Sequence, residues 1–513
     1  MKTKILYTAA LILMILTGCK KDFLNLTPDS EANAEDFYKT AEQFQQAVNG
    51  VYEPLRATVG ESGFIMGEMR SDNTHYDYYA PDRGIHIIRR ENIDDFLDDS
   101  QNQWTNGYYN TCYVGIARAN TILTRIENAE FDQATKDQII GETKFLRAYY
   151  YFNLVRYFGG VPLFLTEVQK EADAFLARST PDEVYTQIIS DAKDAVEKLP
   201  APTFPQNGRA TKGSAATLLA EIHMTRKDFA AAEPLLRSVT TMGYNLLPTY
   251  ADAFQLGNKN SKESVFEIQF MMGDQGQQSM FSYWFIPKAA NVELITGVAS
   301  NTLNYGGWNV PTEDMLNTYE AGDSRKDASI GIAEGIIASD GSFVIQASKS
   351  IQNYVVPAGK IAKPFVKKYL HPHSRERNTD DNWPVYRYSN VLLMLAECLN
   401  EMGNPGDALT YLNQVRKRAG ATLPNIAETS KTALAAIIGH ERRVELAFEN
   451  HRWHDLVRTG KAIEVITAHG VQMKATYSFI SPNAYNVTPD KLIFPIPYLE
   501  LQLNSALTQN PGY

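Results

Sequence analysis

The sequence contains few cysteines and no excess of positive charge. Three cysteines in 513 residues are too few for a disulfide-stapled scaffold. Lysine and arginine number 49 against 59 aspartates and glutamates, and the net charge of −10 argues against a general nucleic-acid binder, which needs a basic face. Hydrophobic residues make up 44% and aromatic residues 11% of the chain. This composition is sufficient for a large core and excludes disorder as the main state.

The chain also lacks the composition of a multi-span membrane protein, since 21% of its residues are charged and its mean hydropathy is −0.31. Its N-terminus carries Lys2 and Lys4 before an apolar run over residues 5–16. That run is shorter than the about 20 apolar residues that span a bilayer, and it is typical of a secretory signal. The bulk of the chain is therefore expected to be a globular protein that is exported.

The export signal ends in Leu16-Thr17-Gly18-Cys19, which resembles the bacterial lipobox. The resemblance implies cleavage before Cys19 and acylation of that residue, giving a membrane contact through the lipid anchor alone. The alternative is an ordinary signal peptide with an incidental cysteine. We therefore predict a signal peptide over residues 1–18, a lipidated cysteine and tether over 19–34, and a single domain over 35–513.

Helical periodicity dominates about 35–250 and 388–469, which predicts a mainly α fold. Two segments share one pattern: Ala220 is followed after twelve residues by Ala232, and Ala396 after twelve residues by Ala408. Small residues at this spacing let the two helices of a hairpin pack closely, as in tetratricopeptide repeats. Thr180-Pro181-Asp182-Glu183 predicts a helix start with Thr180 as the N-cap and Glu183 completing a capping box.

The segment at about 255–385 differs from the helical regions. Residues 265–270 alternate like a strand, and glycine, asparagine, serine and aromatic residues follow without a helical period. Long irregular segments in a compact protein are often functional. We therefore expect a loop-rich, partly β segment that holds a ligand.

Six separate stretches, besides the lipobox at Cys19, share a family pattern. They are WTNGYYNTCYVGIARAN from Trp104, RAYYYFNLVRYFGGVPLF from Arg147, GWNVPTEDMLNTYEAGDSR from Gly307, NPGDALTYLNQVRKRAG from Asn404, ERRVELAFENHRWHDLVR from Glu441, and Leu492 to Tyr513. Together they resemble the SusD/RagB family, the surface lipoproteins of Bacteroidetes nutrient-uptake systems. The resemblance implies a scaffold of helix hairpins with ligand-holding loops. It also implies a partner, a SusC-like TonB-dependent outer-membrane barrel over which the lipoprotein sits as a lid.

Two regions outside the repeats combine aromatic rings with hydrogen-bonding side chains. Rings can bury the C–H faces of sugars, while Asn, Asp and Arg can bond to sugar hydroxyls. The resemblance transfers no ligand residue position by position, so these candidates rest on composition alone. The candidate ligand residues are Asp72, Asn73, Tyr76, Tyr78, Tyr79 and Arg83 in the first region, and Trp284, Asn304, Tyr305 and Trp308 in the second.

No local motif marks a catalytic site, a dinucleotide site or a metal site, and we expect neither an enzyme nor a cofactor. Asp94, Asp95, Asp98 and Asp99 are interpreted as a solvated face, with a structural calcium site as the alternative. His451 and His454 have a spacing that could hold a metal, but the surrounding arginines favour a buried network. In that network Glu441, Glu445 and Glu449 would pair with Arg442, Arg443, Arg452 and Arg458.

The sequence thus predicts an outer-membrane, surface-exposed lipoprotein that captures oligosaccharide or polysaccharide and delivers it to the barrel. Binding a peptide on the same architecture is the first alternative. A secreted glycoside hydrolase, which would need two carboxylates facing each other across a cleft, is the second.

Overall fold

The computed structural model describes residues 37–60 and 62–513. The predicted signal peptide, Cys19 and the tether lie outside these residues. Within the part of the chain that is described, no helix has the length and apolar character needed to cross a membrane.

Helices build the first half of the described chain. Thr180 caps its helix through a full capping box with Glu183, as the sequence predicted, because its side chain satisfies an N–H group that has no partner within the helix. The helices are α1 (Ala41–Tyr52), α2 (Leu55–Gly60), α3 (Ser62–Phe64), α4 (Ile85–Asp94), α5 (Gln103–Arg125), α6 (Gln133–Phe158), α7 (Pro181–Lys198), α8 (Lys212–Thr225) and α9 (Phe229–Val239), with a π-helical turn at Ile65–Met69.

The described residues contain seven strands, of which β1 lies in the first half and the other six lie in the second half, together with further helices. The strands are β1 (Thr74–His75), β2 (Ser264–Ile268), β3 (Val310–Pro311), β4 (Ile330–Ile337), β5 (Phe343–Ser350), β6 (Ile361–Val366) and β7 (Trp383–Arg387). The helices are α10 (Phe281–Phe285), α11 (Glu293–Thr296), α12 (Glu313–Thr318), α13 (Ser324–Ser329), α14 (Tyr388–Glu401), α15 (Pro405–Ala419), α16 (Lys431–Glu445), α17 (Arg452–Arg458), α18 (Ala462–Thr476) and α19 (Tyr498–Leu503). The prediction of a mainly α scaffold with a partly β segment is confirmed.

The two predicted hairpins are α8–α9 and α14–α15. Ala220, Ala232, Ala396 and Ala408 are all fully buried, so the small residues lie where the paired helices contact each other. Helix α9 also packs against α14. The two copies, which are far apart in the sequence, therefore form one continuous helical layer.

The strands form three small antiparallel sheets, β1–β3, β2–β7 and β5–β4–β6. The strand predicted at 265–270 corresponds to β2, but the three-stranded sheet was not predicted. Gly331 and Gly335 of β4 lie against Phe365 and Phe343, where a Cβ atom would come within 3 Å of the rings. Glycine admits this close packing, and it also weakens the strand signal in the sequence.

A buried charge cluster lies beside the α14–α15 hairpin. Glu445 contacts the guanidinium groups of Arg387 at 2.8 Å, of Arg418 at 2.5 Å and of Arg325 at 3.1 Å. A buried Arg–Glu network was predicted, and it exists, but the arginines predicted to pair with Glu445 were the wrong ones. The arginines come from three other elements, because the neighbouring arginines of the Glu441 to Arg458 stretch pair with other carboxylates.

The core surrounds α6, which is buried on most of its circumference. A helix enclosed in this way has apolar and aromatic residues on all sides, and α6 accordingly shows no single polar face. Both cysteines among the described residues, Cys112 and Cys398, are buried free thiols. The helical layer and this core hold the irregular segments described next.

Candidate functional site

Strand pairing brings the two predicted ligand regions together. Thr74 and His75 of β1 pair with Pro311 and Val310 of β3, and the Asp77 N–H donates a hydrogen bond of 2.7 Å to the Gly307 carbonyl. Gly307 has a φ of +75°, and a Cβ there would lie 2.5 Å from the Cβ of Asp77. Glycine is therefore required where the two loops meet.

The polar residues at the start of the first region are buried, which corrects the prediction that they contact a ligand. Both carboxylate oxygens of Asp72 accept 2.8 Å bonds from Arg452, and Arg443 lies 3.0 Å from the same group. Asn73 donates to Glu68 at 2.8 Å and accepts from Arg443 at 2.9 Å. These bonds use the polar groups of both side chains, and they join the first region to α16 and α17.

An outer aromatic cluster, defined as Tyr78, Tyr477 and Phe479, lies at the surface. The rings of Tyr78 and Phe479 stack with centroids 4.3 Å apart and planes 12° apart. Tyr477 lies 5.3 Å from Phe479 and is 38% exposed. The guanidinium of Arg83 sits 4.5 Å from the Tyr78 ring centroid. The cluster thus presents ring surface beside hydrogen-bond donors, a combination suited to a ligand with apolar faces and hydroxyl groups.

Sequence reasoning missed Tyr477 and Phe479. They follow the end of α18 in a polar stretch with serine, proline and asparagine, the same signal that selected the other aromatic candidates. Their role depends on contacts with Tyr78, which lies about 400 residues earlier in the chain. Single-sequence patterns carry no information about such distant contacts.

A second group of rings supports the two loop regions. We call it the inner aromatic row and define it as Trp104, Trp308, Trp284 and Tyr305. Neighbouring centroids along the row are 5.6, 5.2 and 5.7 Å apart. Trp284 and Trp308 are 6% and 4% exposed, so the prediction that they contact a ligand is corrected. Their indole faces are covered by each other and, for Trp308, by the Arg90 guanidinium.

The remaining candidates differ in exposure. Asn304 is exposed, whereas Tyr79 and Tyr305 are half-buried. The Tyr305 hydroxyl bonds to Glu376, and the Arg377 guanidinium lies 4.9 Å from its ring centroid. Tyr76 is buried and donates a 3.0 Å bond to Asp95, so it supports the cluster and does not reach its surface. Asn304 and Tyr477 are thus exposed, and Tyr78, Tyr79, Arg83 and Tyr305 are partly exposed.

The acidic cluster is not a solvated face, which corrects the sequence-based interpretation of these four residues. Asp94, Asp95 and Asp98 are buried, and Asp99 alone of the four is exposed. Asp94 bonds to His75 and Asp98 forms a 2.7 Å ion pair with Arg70. No group of three or more His, Cys, Asp or Glu side chains within residues 37–60 and 62–513 is arranged to hold a metal ion.

Burial controls protonation beneath the outer aromatic cluster. It raises the pKa of Asp95 to about 7, and the neighbouring Asp94 carboxyl adds to that effect. Burial lowers the pKa of His75 to about 4, against the opposing effect of Asp95, Glu91 and Asp77. His75 is therefore neutral at pH 7, and Tyr477 stacks on its uncharged ring at a centroid distance of 5.3 Å.

The acidic groups nearest the exposed rings already have partners. Glu91 forms a 2.7 Å ion pair with Arg83, and Asp77 forms a 2.6 Å ion pair with Lys363. Paired carboxylates stabilise the loops and orient Arg83 towards Tyr78. The arrangement provides a binding surface of rings and donors.

Two family models match successive parts of the chain. The model described as "SusD family" matches residues 262–513, and the model described as "Starch-binding associating with outer membrane" matches residues 22–224. The matched ranges include the α14–α15 hairpin and the first ligand region, respectively.

Curated relatives and solved structures agree with these matches over nearly the whole chain. SusD-like protein P2 of Formosa agariphila is 29% identical, with 99% of both chains covered. Starch-binding protein SusD of Bacteroides thetaiotaomicron is 22% identical, with 100% of both covered. A solved structure, a laminarin binding SusD-like protein, has a TM-score of 0.73 and 26% identity, covering 93% of this chain and 100% of that one. On the combined evidence of its helical scaffold, family-model matches and relatives, the chain is a member of the SusD/RagB family.

Proposed function

We propose that this protein is a surface-exposed, lipid-anchored glycan-binding protein of the outer membrane. It captures oligosaccharide or polysaccharide and delivers it to a SusC-like TonB-dependent barrel, by binding and release without covalent chemistry. The observation that supports glycan binding most directly is the outer aromatic cluster, in which exposed ring surface lies beside Arg83. Aromatic faces cover the C–H surfaces of sugar rings, and guanidinium N–H groups donate to hydroxyl oxygens.

The relatives support the same ligand class. One solved structure of the same fold is named as laminarin binding, and laminarin is a glucan. One curated relative is named as starch-binding. The anchor and the barrel partner are supported by the lipobox-like residues before Cys19 and by the family resemblance. Cys19 itself lies outside the described residues.

The first test is calorimetric titration of the full-length chain in mild detergent against a panel of plant, microbial and host oligosaccharides that includes laminarin oligomers. Every mixture is also assayed for new reducing ends. Saturable heat without new reducing ends is the expected result. New reducing ends would favour a hydrolase, and heat with peptides alone would favour a peptide-binding protein.

Tyr477→Ala tests the site itself. Removal of one stacking ring should weaken binding about tenfold, which corresponds to about 1.4 kcal/mol. Tyr498→Ala is the matched control, because Tyr498 is a similarly exposed tyrosine, at 42%, on helix α19 and outside the outer aromatic cluster. Equal affinity of the Tyr477→Ala variant and the unmodified protein would exclude the outer aromatic cluster as the binding surface. Tyr78→Ala should also weaken binding, whereas Trp308→Ala would act mainly on the core.

A further inference from the structure

A cleft separate from the outer aromatic cluster and the inner aromatic row lies between helices α1 and α2, the segment that precedes α8, and β2. Its volume is about 500 Å³, which is within the usual range for small-ligand sites, about 300–1,000 Å³. Tyr52 and Arg56 line one wall, and Asn207 and Arg209 line another. None of its lining residues belongs to the outer aromatic cluster or the inner aromatic row.

Hydrogen bonds fix two of the lining side chains, Tyr52 and Arg209, in position. Arg209 donates to Glu142 and to the Asn49 side-chain oxygen, both at 2.7 Å. The Tyr52 hydroxyl donates to Glu142 at 3.1 Å and accepts from the Ala210 N–H at 2.8 Å. These bonds connect α1, α6 and the segment before α8. The Tyr52 ring is therefore fixed in position before any ligand arrives, which reduces the entropic cost of binding.

The cleft contains donors that have no partner within the described residues. Arg56 is half-buried, and its guanidinium forms none of the ion pairs or side-chain hydrogen bonds found in residues 37–60 and 62–513. The side-chain amide nitrogens of Asn49 and Asn207, and the whole amide of Gln277, likewise have no partner in this part of the chain. Four lining side chains therefore offer unused hydrogen-bonding groups to one space.

The two acidic side chains of the cleft already have partners. Glu53 forms a 2.9 Å ion pair with Arg118. Glu267 is buried and accepts bonds from Asn382 at 2.9 Å and from the Asn260 N–H at 3.2 Å. Since Arg209 is paired with Glu142, Arg56 carries a positive charge with no ion-pair partner in the described residues. The donors to Glu267 are uncharged, and burial raises the pKa of its carboxyl, which favours the neutral form. The cleft is thus rich in donors and favours an anionic ligand.

We propose that this cleft binds an acidic sugar, a sugar ring that carries a carboxylate. The carboxylate pairs with Arg56, whose planar guanidinium can donate two parallel N–H bonds to it. The amides of Asn49, Asn207 and Gln277 bond to the ring hydroxyls, since amide groups can both donate and accept. The Tyr52 ring covers an apolar face of the sugar. The proposal does not rest on glycan binding at the outer aromatic cluster, because the two sites share no residue.

The test is calorimetric titration of the full-length chain in mild detergent with digalacturonate and with digalactose, its neutral counterpart. Digalacturonate should bind at least about tenfold more tightly, and Arg56→Gln should reduce its affinity about tenfold, since a bond to a charged group is lost. Arg56→Lys retains the charge but not the paired bonds, and should lie between the two. Arg226→Gln, at an exposed arginine that directly follows the C-terminus of α8 and does not line the cleft, is the matched control and should leave the affinity unchanged.

Four results would overturn the proposal. They are equal affinity for the acidic and neutral disaccharides, unchanged digalacturonate affinity in Arg56→Gln, absence of binding, and loss of digalacturonate affinity in Tyr477→Ala. Tyr477→Ala separates this site from the aromatic surface. Digalacturonate affinity that survives Tyr477→Ala supports the cleft, whereas loss of that affinity would assign the ligand to the outer aromatic cluster and reject the cleft.

Discussion

Replacing Glu445 by glutamine should destabilise the protein severely, because the change leaves three buried guanidinium groups without their shared carboxylate. Glu445 is fully buried and lies between Arg325, Arg387 and Arg418, at 3.1, 2.8 and 2.5 Å. Glutamine has nearly the same volume, so the substitution removes charge and creates no cavity. The measured effect then reports the electrostatic contribution of this one carboxylate.

Two independent arguments give a similar magnitude. Burial acts to raise the pKa of Glu445, but Arg418, Arg387 and Arg325 together overcome it and lower the pKa from 4.5 to about 2. That difference corresponds to about 3 kcal/mol of stability at neutral pH. Breaking a buried ion pair by removing one partner typically costs about 3–5 kcal/mol. We therefore expect a loss of about 3–5 kcal/mol in the free energy of unfolding.

Urea denaturation followed by circular dichroism measures this loss, with Glu130→Gln as the control because Glu130 is exposed. The control should change the free energy of unfolding by less than about 0.5 kcal/mol. A carboxyl with a lowered pKa stabilises the folded state above pH 4.5, and this contribution disappears as the pH falls through about 2. The difference between Glu445→Gln and the unmodified protein should therefore shrink in acid. A loss below about 1 kcal/mol at pH 7 would refute the reasoning.

Two further predictions concern stability. The pKa of Asp95 is raised from 3.8 to about 7, so its contribution to the free energy of unfolding is fully present below pH 3.8 and is lost as the pH rises through 7, a change of up to about 4 kcal/mol. Asp95→Asn should flatten this part of the pH profile and raise the free energy of unfolding at pH 8. An unchanged profile would show that Asp95 is ionised at neutral pH. Gly115→Ala should lower the free energy of unfolding, measured in urea, by about 1–3 kcal/mol, because its Cβ would lie 2.2 Å from the Tyr150 ring. Gly439→Ala, in a helix with open space around the new methyl group, should instead raise it by about 0.5–1 kcal/mol. Similar effects at the two positions would contradict the packing argument.

The charge cluster shows where sequence reasoning stops. Glu441, Glu445 and Glu449 recur at four-residue steps on one face of the chain, so a network of buried acids could be predicted from local spacing. Their partners could not, because Arg325, Arg387 and Arg416 belong to elements that meet α16 only in the folded protein. Nearby arginines seemed the natural partners, but tertiary packing directs them to Asp72, Glu397 and Asp455.

The candidate site shows the same division. Composition selected two regions with rings and polar groups, and the structure brings them together through β1 and β3. Composition could not separate Tyr78, which is partly exposed, from Trp308, which is buried, since both are aromatic residues in loops. Exposure depends on what covers a ring, and Trp308 is covered by Trp284 and Arg90.

Local chemistry in the sequence determined the helical scaffold, the capping box at Thr180 and the small-residue contacts of both hairpins, because each depends on residues a few positions apart. Tertiary structure decided which aromatic rings are exposed, which carboxylates are buried and which donors in the Arg56 cleft are unused. Those properties arise from contacts between residues hundreds of positions apart, as between Tyr78 and Phe479. A binding surface is defined by what the folded chain leaves uncovered, and only the packed molecule determines that.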